Sequence, residues 1–139
     1  MRPCGKPWPP PRPISFRLGK PVARLIVRIE LDSEARIGGD AIRLLELIET
    51  EGSISAAGRA HGIKFRRTWT VIDELNRMFK SPVIATQAGG ADGGRARVTQ
   101  FGLEIVRRYR AIEARAARAA EQDLAALEAV SNPVAPRPR

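Results

Sequence analysis

Proline is confined almost entirely to the two ends of this chain, and that bounds where regular structure can form. Seven of the eleven prolines fall within the first 21 residues and three within the last seven, leaving Pro82 alone between them. Proline lacks a backbone N–H and clashes with a preceding helical turn, so a run such as Pro7-Trp8-Pro9-Pro10-Pro11 enters neither a helix interior nor a paired strand. Residues 1–21, with five basic residues and no acid, therefore read as a disordered, Pro-rich basic arm. Residues 131–139 read as a disordered tail. The span between is long enough for one domain with a hydrophobic core and too short for two.

Within that span the hydrophobic period changes several times. Leu25, Val27, Ile29 and Leu31 alternate with Arg24, Arg28 and Glu30, the pattern of a half-buried strand, with Ile26 out of step. A loop through Gly38-Gly39 follows, and Asp40 is placed to cap a helix over 41–51. Ala41, Leu44, Leu45 and Ile48 would be its buried stripe and Gly52 its stop. Ser53 or Ser55 can cap a short second helix over 56–60 that ends at Gly62. A third helix is expected over 65–79, with Trp69, Ile72 and Leu75 or Asn76 on one side. Residues 83–88 and 95–98 read as two strands around a glycine-rich turn at 89–94. Thr99 can cap a last helix reaching Val130.

The order of these elements predicts a mainly α fold with a small β-hairpin, a winged helix-turn-helix, followed by a long C-terminal dimerisation helix. The predicted divisions are an arm at 1–21, the winged helix-turn-helix at 22–98, the dimerisation helix at 99–130 and the tail at 131–139. The local signal is Ala57-Gly58-Arg59-Ala60-His61-Gly62-Ile63. Two helices that cross closely need a small residue at the contact, Gly58 or Ala57, a glycine in the turn and an apolar plug after it, Ile63.

Charge then points to a partner. Basic residues outnumber acidic ones by 24 to 15, a formal charge of +9, which favours a polyanion. The excess is local: residues 53–98 hold eight basic and three acidic residues, whereas residues 35–52 hold two and four. Lys64, Arg66, Arg67 and Thr70 fall away from the Trp69 and Ile72 side of the third helix and would face outward together. An exposed cationic helix start suits the major groove, where arginine forks match guanine. Arg95 and Arg97, behind the glycines of the hairpin, would hold the flanking backbone as a wing. Ser55, at the start of the second helix, completes the set of expected DNA contacts. In the last helix Phe101, Ile105, Tyr109, Ile112 and Ala116 recur at three- to four-residue spacing and continue through Ala120, Leu124 and Leu127. Its charges balance, so its distal stripe is expected to pair with a second copy rather than with DNA.

Other classes fit poorly. The chain has one His, one Cys and one Tyr, and no carboxylate pair with a partner placed for acid–base work, so an enzyme is not expected. Cys4 alone excludes an internal disulfide, and His61 alone leaves no imidazole cluster for a metal. No cofactor is expected on this chain. No apolar run approaches the ~20 residues that span a bilayer. The basic N-terminus lacks the apolar stretch of a secretory signal, which leaves the cytoplasm as the expected location.

Together these residues are similar to a known family. Gly52-Ser53-Ile54-Ser55, Gly62-Ile63, Trp69, Ile72 with Glu74 and Asn76, Gly89-Gly90 with Gly93-Gly94, and Val98-Thr99 with Gly102 resemble the DNA-binding half of ModE-type molybdate-responsive regulators. The helix-turn-helix of that family is close to that of LysR-type regulators. The resemblance spans residues 24–120 and implies a homodimer with a recognition helix in the major groove of a palindromic operator. Lys64 departs from it, standing where the family usually has a hydroxyl residue, so the third helix is expected to lack a side-chain cap. The family's molybdate-binding module follows the DNA-binding half, whereas this sequence stops after one helix. The resemblance therefore carries over DNA binding and not oxyanion sensing. Two alternatives follow: a protein-interaction adaptor built on the same fold, or a DNA-binding subunit partnered by a separate molybdate-sensing protein.

Overall fold

The computed structural model describes residues 23–32, 34–87 and 95–132. The basic arm, the glycine-rich turn at 89–94 and nearly all of the expected tail lie outside the described residues. Residues Ile26–Glu113 form one compact unit. Its elements are β1 (Arg28–Glu30), β2 (Arg36–Gly38), α1 (Gly39–Glu51), α2 (Ile54–His61), α3 (Phe65–Met78), β3 (Ile84–Gln87) and β4 (Arg95–Val98), followed by α4 (Gln100–Ala119).

The alternation at the start of the chain survives as burial. Leu25, Val27 and Ile29 are half-buried while Ile26 is exposed, and β1 pairs antiparallel with β2 through Ile29 opposite Ile37. β2 replaces part of the expected loop: three residues ending in glycine are too few to announce a strand by alternation. It runs directly into α1, so Gly38 takes the N-cap position instead of Asp40, which lies in the first turn. There its carboxylate still meets the positive end of the helix. Ile42, Leu44, Leu45, Leu47 and Ile48 are all buried, a broader face than the expected stripe, because α1 is covered on several sides. Gly52 ends α1 at φ +73° with its N–H donating to the Ile48 carbonyl.

α2 is capped by Ser53, whose Oγ accepts from the Ala56 N–H at 3.2 Å; Ser55 plays no capping part. β3 and β4 pair antiparallel, with Ile84 opposite Val98 and Gln87 opposite Arg95. This hairpin is tied to the helices at several points. Ala96 N–H donates to the Gly52 carbonyl at 3.0 Å and Val98 N–H to the Glu49 carboxylate at 3.2 Å. Asn76 of α3 accepts from Val83 and Ile84 N–H at 2.9 and 3.1 Å. Thr99 caps α4, accepting from the Gly102 N–H at 2.9 Å while its hydroxyl donates to the Pro82 carbonyl. At Gly102 a side chain would run into the Val83 carbonyl, so α4 packs directly on the hairpin backbone. Three helices with a short second member and a following antiparallel hairpin make this a winged helix.

α4 contributes Tyr109 to the core; its hydroxyl donates to the Val27 carbonyl at 2.6 Å. Arg110 reaches Glu46 of α1 with two nitrogens, at 2.6 and 3.2 Å, and Glu113 with a third at 2.7 Å. The hydrogen bond to Glu46 pushes the guanidinium pKa above its ordinary value, against the opposing effect of burial. The expected single helix to Val130 is divided. Ala120, at φ −95° and ψ 4°, separates α4 from α5 (Glu121–Val130). Hydrogen bonds from Ala120 to Ala116 and from Leu124 to Ala120 continue across the division. No proline or glycine marks the spot, so side-chain spacing alone does not register it.

Candidate nucleic-acid interface

The geometry of the α2–turn–α3 segment starts from Gly58. A Cβ there would collide with the Thr68 hydroxyl and lie 3.0 Å from its Cγ2, so the helices meet with no room for a side chain. Thr68 is buried, and its hydroxyl donates back to the Lys64 carbonyl at 2.9 Å. Gly62 supplies φ +83° at the turn, and Ile63 N–H returns to the Gly58 carbonyl at 3.0 Å, closing α2 with a six-to-one hydrogen bond. Ile63 is half-buried against the core, as its position after the turn requires.

These constraints hold α3 by one side. Ile72 and Leu75 are buried and Trp69 is half-buried against the core. Lys64, Arg66, Arg67 and Thr70 are all exposed. The Thr70 hydroxyl donates to the Arg66 carbonyl at 3.0 Å, which commits its proton and leaves its lone pairs outward. The first turn of α3 contains no acid, and the Lys64 side chain makes no cap hydrogen bond, as expected where a hydroxyl residue is missing.

Arg95 and Arg97 are exposed on β4 while Ala96 and Val98 between them are buried. Their cross-strand partners, Gln87 and Ala85, are exposed and uncharged, so this side of the hairpin carries no acid among the described residues. Ser55 is half-buried in the first turn of α2. Two features were not anticipated from the sequence. Arg59, in the last turn of α2, is a further exposed cation, and Phe65 leaves 64 % of its surface exposed at the start of α3. Phe65 stands four residues before Trp69, at the outer end of the same helical row; that spacing was the available signal.

Ion pairing separates two classes of arginine. Arg28 and Arg36 pair with Glu30, Arg107 and Arg108 with Glu104, and Arg110 with Glu46 and Glu113. Among the described residues, Arg59, Lys64, Arg66, Arg67, Arg95 and Arg97 form no ion pair, and neither do Arg24, Arg43, Arg77, Lys80, Arg115 and Arg118 elsewhere. Nor does any group of three His, Cys, Asp or Glu side chains there stand close enough to hold a metal. Among the described residues no helix is long and apolar enough to cross a membrane.

No protein-family model matches the chain. Individual proteins do. The chain is 37 % identical over 92 residues to a molybdenum transport protein ModE of Azotobacter vinelandii, covering 65 % of this chain and 34 % of that one. It is 38 % identical over 78 residues to a molybdenum-pterin-binding protein MopA of Rhodobacter capsulatus, covering 56 % and 29 %. Over this stretch the chain resembles ModE-type proteins. A DNA-binding transcriptional dual regulator ModE of Escherichia coli is more distant, 28 % identical over 87 residues, covering 63 % and 33 %. The chain thus spans about a third of the length of the curated relatives it matches. The similarity expected from Gly62-Ile63, Trp69 and the hairpin glycines is therefore found, on a winged-helix framework.

Proposed function

We propose that this chain is a DNA-binding transcriptional regulator that binds a palindromic operator as a homodimer in the cytoplasm. α3 enters the major groove, with Arg66 or Arg67 reading a base and Lys64 and Thr70 positioning it on phosphate. Arg95 and Arg97 hold the adjacent backbone through the wing, and Ser55 contacts phosphate from α2. Pairing of two copies through the final helices presents two α3 helices ~34 Å apart, about one duplex turn. The carrying observation is the set of exposed cations at the start of α3 and on β4 that pair with no carboxylate among the described residues, beside Arg107, Arg108 and Arg110 of α4, which pair with Glu104, Glu46 and Glu113. The name of the Escherichia coli relative supports the same reading.

Molybdenum in the names of several relatives supports a second element, that DNA binding answers to molybdate through a separate sensing protein or module. Selection of bound duplexes from a random pool, with and without molybdate, tests both. A twofold half-site enriched at low salt and lost as salt rises is the expected result. Retention that is indifferent to salt and sequence, with capture of a protein partner, would favour the adaptor reading instead.

A further inference from the structure

We infer that Phe65 is a specificity-determining residue that seats the C5-methyl group of a thymine in the major groove. This rests on the proposed DNA-binding reading and adds to it an apolar contact that its charged residues cannot supply. Phe65 is the first residue of α3, flanked by Lys64 on one side and Arg66 and Arg67 on the other. Its ring meets Trp69 edge-on, with centroids 6.2 Å apart, yet 64 % of the residue remains exposed. Among the described residues the other exposed aromatic, Phe101, is 37 % exposed and packs edge-on against Phe79.

The reason for the exposure is geometric. Positions 65 and 69 share one helical row, and Trp69 already marks where that row reaches the core. One turn earlier the row has run past the edge of the domain, and the phenyl ring extends beyond it. A large apolar ring left in water at a helix start, between cations that pair with no carboxylate among the described residues, needs an occupant that is anionic around its rim and apolar at its centre. A protein surface that is apolar at the centre seldom carries a polyanionic rim, and a second copy of this same helix would set like charges against each other. Duplex DNA has both properties. Phosphates flank the groove, and thymine is the base whose major-groove edge carries a methyl group, which apolar side chains including phenylalanine contact. The arginines report on guanine and Phe65 on thymine, so the two readouts are chemically separate.

The test uses the full chain and a duplex recovered by selection, with each thymine replaced in turn by deoxyuridine. That replacement removes only the methyl group and leaves the hydrogen-bonding edge intact. The wild type should lose roughly fourfold in affinity at one position per half-site, the worth of about one methyl group taken out of water. Phe65→Ala should bind the thymine duplex as weakly as the wild type binds the deoxyuridine duplex, and should not distinguish the two. Phe65→Leu should keep part of the discrimination. Circular dichroism of each variant should match the wild type, since the side chain is exposed. A penalty that persists in Phe65→Ala, or no position with a penalty in the wild type, would overturn the assignment while leaving DNA binding in place. Failure of the wild type to retain any duplex would remove the reading beneath it, and this inference with it.

Discussion

Arg67 and Tyr109 illustrate how the surroundings of a side chain set what it can do. Arg67 is exposed and makes no ion pair among the described residues, and in the proposed function its donors would form a fork aimed at guanine, the use that discriminates between bases. Arg67→Ala should cost about 1–3 kcal/mol on the selected site and flatten the preference at one position, measured by competition among single-base variants. An equal loss on random duplex would make it a phosphate contact. Tyr109, by contrast, is committed to the core. Burial first, then the nearby Glu113 carboxylate, raise its pKa above the ordinary 10.0; Arg110 lowers it by less than Glu113 raises it, and Asp40 adds the smallest increase. The folded state thus favours the neutral phenol, which donates to the Val27 carbonyl. Its contribution is complete below pH 10.0 and is lost as pH rises through the raised value, so stability should fall on the alkaline side. Tyr109→Phe should cost about 1 kcal/mol at neutral pH and remove that part of the alkaline decline, followed by chemical denaturation. As this is the only tyrosine, its phenolate absorbance reads the titration directly.

At the scale of elements, the position of α3 depends on a contact with no slack. Gly58 and Thr68 occupy the space of one side chain between α2 and α3, and Thr68 is a branched residue locked by its own hydrogen bond to Lys64. Gly58→Ala should destabilise by about 1–3 kcal/mol, as overpacking of a tight core does. Thermal unfolding of Gly58→Ala, Thr68→Ala and the double variant checks this. A double variant less unstable than the sum of the two singles is expected, because the added methyl then enters the space that Thr68 leaves. Strict additivity would mean that the helices separate instead of pressing on Thr68. The hairpin is held with similar economy: Asn76 joins it to α3, and Gly52 and Glu49 join it to the end of α1. α3 and the β3–β4 hairpin are therefore parts of one hydrogen-bonded frame.

For the molecule as a whole, the proposal requires two copies. α5 has no buried residue, and Leu127 and Val130 are 56 % and 51 % exposed. Side chains already in water can be changed without loss to the single chain. Leu127→Glu combined with Val130→Glu should leave the helical circular dichroism unchanged, convert dimer to monomer in sedimentation equilibrium, and weaken binding to a two-half-site duplex more than to one half-site. A variant that still sediments as a dimer would remove α5 from the interface. Charge belongs to the same scale. In the proposed function, the surplus of cations between residues 53 and 98, against the acidic stretch from 35 to 52, would supply the diffuse attraction to a polyanion, and individual contacts would then select the sequence.

Most of the helical framework was legible before any coordinates, because its signals are local. Glycines at 52 and 62 end helices where an L side chain would be strained, Ser53 starts one, and apolar residues recur with the helical period. Several features were not legible. β2 is too short for a pattern; the Gly38 cap and the division at Ala120 leave no mark in residue type; the breadth of the buried face of α1 depends on what surrounds it. The candidate interface divides in the same way. By itself the sequence determined that cations gather at the start of α3 and on β4, since composition and period are properties of the chain. Only the tertiary structure decided that none of these finds a carboxylate among the described residues while Arg107, Arg108 and Arg110 do, and that Phe65 is left exposed at the start of α3. Pairing and exposure depend on distances between residues far apart along the chain, and those distances exist only once it has folded.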